Sequence, residues 1–213
     1  MSPAWLIWQL ADSAFPSGAF GHSAGLEAAV QHGEVQGADS LLHWTEVSLI
    51  NAGTSMLPFV TAGFDDPSDL PRIDSLCDAW LSNHVANRAS RAQGRAFHTA
   101  ARHAFPLPFL PAPDPGHWAP TFGAITSRLR VTRATAVRLF LFLHLRGMLS
   151  AAVRLGIVGP LQAQCMQHRL GPAAEDVARR CSDLGLEDAV QLTPLPDILQ
   201  AAHDRLYSRL FQS

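Results

Sequence analysis

The sequence predicts an all-α fold, a single bundle of roughly nine or ten helices over residues 1–213. Three observations carry this expectation. No segment sustains the period-2 alternation of β-branched and polar residues that a half-buried strand needs. Alanine and leucine dominate the apolar positions, and both favour helix. Proline, glycine and short polar residues recur at positions that start and stop helices. With 47% hydrophobic and 16% charged residues, the chain has side chains enough for a sizeable core and is not disordered.

The elements follow in order. Ser2-Pro3 caps a first helix over "AWLIWQLAD", which stops at Asp12-Ser13. Residues 13–21, with Pro16, Gly18 and Gly21, form a loop. His22–His32 reads as a short helix closed by Gly33. Asp39 or Ser40 caps a helix over "LLHWTEVSLIN", and Met56–Phe64 is a separate one. "DDPSDL" at 65–70 is a polar turn. Pro71 opens a long helical stretch to Ala104, with a break expected near Asn83–Asn87. Six prolines in "FPLPFLPAPDPGHWAP" make 105–120 a loop, after which a helix begins near Thr121. Thr132 caps the most apolar helix, which runs to Leu155. Its "LFLFL" at 139–143 leaves almost no polar face, so it is the central helix. Gly156–Gly159 ends it, and Pro160 starts the next, which Gly171-Pro172 is expected to break. A last helix spans Pro196–Phe211.

Several function classes are excluded by residue type. All sixteen basic residues are arginine. Without lysine there is no Walker A loop and no Schiff base. The 11–30 segment holds Asp12, Ser13, Ser17, His22 and Ser23, but no G-x-S-x-G elbow and no sheet to mount a triad on. No catalytic residue is assigned. The three cysteines form neither a disulfide framework nor a zinc set. Cys165 and His168, at i,i+3, are weak metal candidates, two ligands being too few for a tight site. The chain is slightly acidic, with a net charge of -2, and lacks a basic stripe with aromatics, so no nucleic-acid role is expected. Arg138, His144, Arg146 and Arg154 interrupt the apolar stretch Val137–Val158, which argues against a membrane span. No basic n-region marks a signal peptide, and a cytoplasmic protein is expected.

An interaction protein fits better. The 11–30 loop contains residues that shape backbone: Pro16 fixes one φ, while Gly18, Gly21 and Gly25 allow close approach. Phe15 and Phe20 are candidate apolar anchors. In the tail, Ile198, Ala202, Leu206 and Leu210 make one i,i+4 row, with Leu199, His203, Tyr207 and Phe211 beside it. Arg205 and Arg209 share another side. Positions 115–174 contain seven arginines and no Asp or Glu, so those cations must find acids elsewhere in the fold or on a partner.

"LADSAFPSGAFGHSAGLEAAVQHGEV" at 10–35 resembles the N-terminal signature of the urease accessory protein F family. Leu10, Asp12, Ser13, Pro16, Gly18, Phe20, Ser23, Gly25, Leu26 and Glu27 match it. "RAQGRAF" (91–97), "LSAAVRLGIVGPLQAQ" (149–164) and "HDRLYSRLFQS" (203–213) resemble further family stretches, in the same order. Ala19 stands where the family has a second glycine, and Pro160 where it has glutamine. The resemblance implies a non-enzymatic, dimeric chaperone of urease maturation. Such proteins bind an accessory protein of the D/H type and recruit the accessory GTPase (G type) that carries nickel to apo-urease. Nickel would pass through in transit, with no tightly bound cofactor. The implied partner-binding residues are Asp12, Pro16, Gly18, Phe20, His22, Gly25, Glu27, Arg91, Arg95, Arg205, Tyr207, Ser208, Arg209, Leu210 and Phe211. The alternatives are a relative serving a different metalloenzyme client, or a small helical enzyme.

Overall fold

Proline, glycine and asparagine set most of the helix ends. The computed structural model describes residues 3–106, 112 and 114–213, which form an all-α bundle without strands. The first helix, α1, is Pro3–Ala11; the cap expected at Ser2 lies outside the described residues. The second, α2, is Leu26–Gln31 and starts four residues later than the sequence suggested. His22 is extended, with φ −125 and ψ 137, and Ala24 (φ 51) and Gly25 (φ 84) are both left-handed. Two consecutive left-handed residues cannot enter a right-handed helix, so the first turn waits for Leu26. Gly33, at φ 81, closes it as expected.

Helix α3 (Ala38–Asn51) and helix α4 (Leu57–Asp65) run on as one rod, where two separate helices were expected. A π-turn over Ala52–Met56 joins them. Pro58 has no N–H for the Thr54 carbonyl one turn back. That carbonyl instead accepts the Val190 N–H at 3.0 Å, so a distant loop satisfies what the proline frees. Helix α5 (Leu70–Trp80) and helix α6 (His84–Ala104) are separated where the sequence indicated. Asn83 makes the new start: its Oδ1 accepts from the Val85 and Ala86 N–H groups at 3.0 and 3.2 Å. Residues 107–111 and 113 of the proline-rich loop lie outside the described residues. Helix α7 (Trp118–Arg128) begins three residues before Thr121, with Pro120 in a first turn that needs no N–H.

Helix α8 (Arg133–Arg154) is capped by Thr132, whose Oγ1 accepts the Thr135 N–H at 3.2 Å. Helix α9 (Pro160–Cys181) continues through Gly171-Pro172, against expectation. Both residues are exposed, so the freed His168 carbonyl needs no partner within the fold, while Leu170, Val177 and Ala178 stay buried and hold the helix. Helix α10 is only Pro194–Ala202. A 3-10 turn over His203–Arg205 follows, and Leu206 beyond it is extended, so the helix predicted to Phe211 ends nine residues early and leaves no double apolar row.

Helix α8 lies at the centre, touching α1, α2, α3, α4, α7 and α9. Two rods, Ala38–Asp65 and Arg133–Arg154, are long and apolar enough to cross a membrane, but over half of each apolar window is buried within the bundle. Phe97, Trp118, Phe122 and Phe140 make a continuous aromatic cluster, with ring centroids 5.0–6.1 Å apart. Helix α7 is anchored at its N-terminus by side chains from α5 and α6. The fully buried Asp74 carboxylate accepts the Gly116 and His117 N–H groups at 2.6 and 2.7 Å, and Ser90 Oγ accepts that of Trp118 at 3.1 Å. His117 Nε2 bonds Asp78 at 3.0 Å. Burial pulls the His117 imidazole below its ordinary pKa, against its acidic neighbours.

Helices α4 and α7 approach until their backbones touch. A Cβ on Gly123 would overlap the Val60 carbonyl, and one on Gly63 the Pro120 carbonyl. Backbone cannot swing aside as a side chain can. Gly123→Ala is therefore expected to destabilise by about 2 kcal/mol or more, despite alanine's better helix propensity. Urea unfolding checks this, and a neutral result would mean that the crossing is looser than described.

Candidate functional site

Three of the four motif stretches named above, and the start of 149–164, meet on one side of the bundle. At their centre is Glu27, on the first turn of α2 and 2% exposed. No arginine reaches it. Its carboxylate accepts instead from the Leu210 N–H at 2.6 Å, the Phe211 N–H at 3.1 Å and His203 Nε2 at 2.9 Å. Hydrogen bonds to a charged acceptor are the strong ones, and burial raises the cost of losing them. The tail is pinned along its length. The Ser213 carbonyl accepts from the Ser23 N–H at 2.6 Å and the Ser23 hydroxyl at 3.1 Å. His22 Nδ1 meets the Ser213 hydroxyl at 2.5 Å, the Gln212 N–H donates to the Gly21 carbonyl at 2.8 Å, and Gln31 Nε2 donates to the Ser208 carbonyl at 2.8 Å. Burial pulls the His22 imidazole below its ordinary pKa, and the Arg88 and His203 charges act the same way.

The loop is tied to the bundle in turn. Gly18 (φ 74) lies against Ala96 of α6. Gly25 lies against α10, where a Cβ would sit 3.2 Å from the Pro196 carbonyl. From α8, Arg146 donates to the Ala11 carbonyl and Arg154 to the Phe20 carbonyl. The Arg154 guanidinium lies over the Phe20 ring, 3.7 Å from its centroid, and over the Phe211 ring, 4.2 Å from its centroid. Phe15 turns inward onto Phe97 and Phe105, so only Phe20 is an outward anchor, at 70% exposure.

The anticipated residues therefore divide. Gly25, Glu27 and Phe211 are buried and shape the surface without reaching it. Phe20, Tyr207 and Leu210 are exposed side chains on it. Pro16, Gly18, Arg205, Ser208 and Arg209 are exposed, and His22 is half-buried. Asp12 closes a local turn, accepting the Ala14 N–H at 2.9 Å. Arg95 is engaged by the Pro115 carbonyl at 3.0 Å and Asp114 at 3.3 Å, and the half-buried Arg91 adds positive charge beside Asp78. Arg209 joins Arg88 and His84 around Asp204, where the Arg88 hydrogen bond foremost holds that carboxyl below its ordinary value. Cys165 and His168 are exposed on α9, and no three His, Cys, Asp or Glu converge among the described residues. Sequence reasoning missed the clasp roles of Ser23, His203 and Ser213, although all three fall inside the quoted motifs.

Below the loop lies a cavity of about 250 Å³ with a mixed lining that includes Ser17, His22, Ser48, Asn51, His144 and Phe140. His144 Nε2 bonds Ser48 Oγ at 2.8 Å, and burial pushes the imidazole down to about 4 from 6.5.

The UreF family profile matches residues 35–171. The chain is 37% identical to urease accessory protein F of Arabidopsis thaliana, over 98% of this chain and 92% of that protein. It is 36% identical to urease accessory protein F of Oryza sativa subsp. japonica, over 97% and 84%. With urease accessory protein UreF of Mesorhizobium japonicum the identity is 32%, over 99% and 94%.

Two outcomes follow from this geometry. Glu27→Ala should release the tail, speeding amide exchange at Leu210 and Phe211 by about 100-fold or more, with α7 and α8 unaffected. Unchanged exchange at those two amides would show that other contacts hold the tail. Folded His144 stays neutral down to about pH 4, whereas the unfolded chain binds the proton near 6.5. Stability is thus full above that range and falls as pH drops through it, by up to about 3 kcal/mol from this group. His22 and His117 add in the same direction. Urea titrations at pH 7 and pH 5 check this, and His144→Gln should flatten the difference.

Proposed function

Since the chain belongs to the urease accessory protein F family, we propose that it acts in urease maturation as a non-enzymatic scaffold. In this reading it binds the D/H-type accessory protein, and the pair recruits the accessory GTPase that brings nickel to apo-urease. The protein works as a homodimer in the cytoplasm, with no nucleic-acid or membrane partner. Nickel is cargo in transit, not a resident cofactor.

The observation that carries this reading is the clasp between loop and tail. Its carboxylate, hydroxyls and amides are turned inward to hold backbone, while Phe20, Tyr207, Leu210 and Ile198 remain exposed. Exposed aromatic and aliphatic side chains on a braced backbone are the usual anchors of a protein interface. Side-chain arrangements that resemble a catalytic centre are accounted for structurally. His22 and Ser213 have no aspartate bonded to them among the described residues. Ser90, His117 and Asp78 have the residue types of a triad, but His117 is fully buried and the Ser90 oxygen holds the Trp118 N–H at the start of α7. A nucleophile must reach substrate.

The double variant Tyr207→Ala/Leu210→Asp tests the reading. Both side chains point outward, and the Leu210 N–H that binds Glu27 is kept. The purified variant should keep its helical content and melting temperature, yet fail to copurify with the D/H-type protein and fail to support urease activation in cells. Full binding and activation by a folded variant would place the interface elsewhere.

A further inference from the structure

We propose that the pocket between the 13–20 loop and α8 binds a small oxyanion of the phosphate type. This goes beyond the scaffold role and does not depend on it. The pocket holds about 150 Å³. That is below the roughly 300 Å³ at which pockets for drug-sized ligands begin, so it suits a ligand of a few heavy atoms.

Its walls are rich in donors and contain no acid. Arg146, Ser150 and Arg154 come from α8 at successive one-turn spacings, and Ser13 and Ser17 face them from the loop. Among the described residues neither arginine has a carboxylate within ion-pair distance. Each donates one N–H to a loop carbonyl, Ala11 for Arg146 and Phe20 for Arg154. A guanidinium carries five N–H donors in a plane, so most of each fork remains unspent. The hydroxyls of Ser13, Ser17 and Ser150 likewise have no protein partner among the described residues.

The Arg154 fork is fixed before any ligand arrives. The Phe20 and Phe211 rings lie against it, with centroids 3.7 and 4.2 Å away, and hold the guanidinium without consuming its N–H donors. Holding the fork in place removes the rotamer entropy that an anion would otherwise have to freeze. Arg146 is half-buried, and burial pushes its guanidinium down from its ordinary pKa while Asp12 opposes the shift. An anion between the two arginines would offset that cost. Donors arriving from two facing walls match a tetrahedral oxyanion better than a planar carboxylate, whose two oxygens a single fork satisfies.

Calorimetric titration of the full chain with inorganic phosphate is the test, with acetate at equal ionic strength alongside. Phosphate should bind saturably with a dissociation constant of about 1 mM or tighter, and acetate more weakly. Arg146→Gln and Arg154→Gln should each weaken phosphate by about tenfold or more, and Ser150→Ala by about threefold. Ser150→Ala leaves the stacked arginine intact, so it reads the pocket even where an arginine variant disturbs the fold. Arg169→Gln, exposed on α9, should change nothing. No saturable phosphate binding would overturn the proposal, as would acetate binding as tightly. An equal loss in Arg169→Gln would show diffuse attraction to a basic surface and would overturn it too.

Discussion

A carboxylate placed where water cannot reach it governs the functional face of this protein. Glu27 must find donors within the fold, because an unmatched buried charge is far costlier than any bond it makes. Its three donors lie some 180 residues away, at His203, Leu210 and Phe211. That requirement carries the chain end across the loop. It also keeps residues 210–211 out of a helix, since the Leu210 and Phe211 N–H groups cannot both serve Glu27 and close helical turns. The left-handed pair Ala24 and Gly25 has the same origin: it turns the chain so that Glu27 enters the first turn of α2 facing inward.

The clasp is coupled to the core through side chains of the same loop. Phe15 stacks on Phe97 and Phe105, and Phe97 continues the aromatic cluster through Trp118 and Phe122 to Phe140 of α8. Gly18 rests on α6 against Gln93 and Ala96, which flank Gly94, where a Cβ would overlap the Gly116 and His117 backbone. The "RAQGRAF" stretch thus serves two close approaches at once, the loop on one side and the anchored start of α7 on the other. Proteins packed to crystal-like density cannot absorb a change at such points locally. The loop's shape therefore depends on helices that share no sequence neighbourhood with it.

Much of this was legible in the sequence. The all-α class, the break at Asn83, the Thr132 cap and the central position of "LFLFL" follow from local chemistry, and the structure shows each. What was not legible has one cause in common: a distant group overrides a local signal. Pro58 looks like a helix boundary until Val190 takes the Thr54 carbonyl. Gly171-Pro172 looks like a break until buried Leu170 and Val177 hold the helix on both sides. Residues 203–211 have helical periodicity, yet the Glu27 carboxylate claims the Leu210 and Phe211 amides. The motif order pointed to the region where loop and tail meet. It could not say that Glu27 and Phe211 lie inside and Tyr207 outside, because burial is a property of the packed whole.

The acid-free segment 115–174 shows how one constraint separates two kinds of surface. Near the start of α8, Arg133 meets Asp65 at 3.0 Å and Arg138 meets Glu175 at 2.5 Å, so those cations are neutralised within the fold. Toward its end, Arg146 and Arg154 donate to the Ala11 and Phe20 carbonyls and form no ion pair among the described residues, with Asp12 acting on Arg146 only from beyond ion-pair distance. A carbonyl oxygen orients a guanidinium without neutralising it. The same bonds that hold the loop in place therefore leave positive charge beneath it. The one acid the loop does carry inward, Glu27, is fully occupied by the tail. Had Glu27 paired with Arg154, the tail amides would have lost their acceptor and Phe211 its place over the guanidinium. Satisfying the buried carboxylate with backbone N–H groups thus fixes the chain end and, by the same choice, keeps two arginines uncompensated on the face that the exposed Phe20, Tyr207 and Leu210 side chains surround.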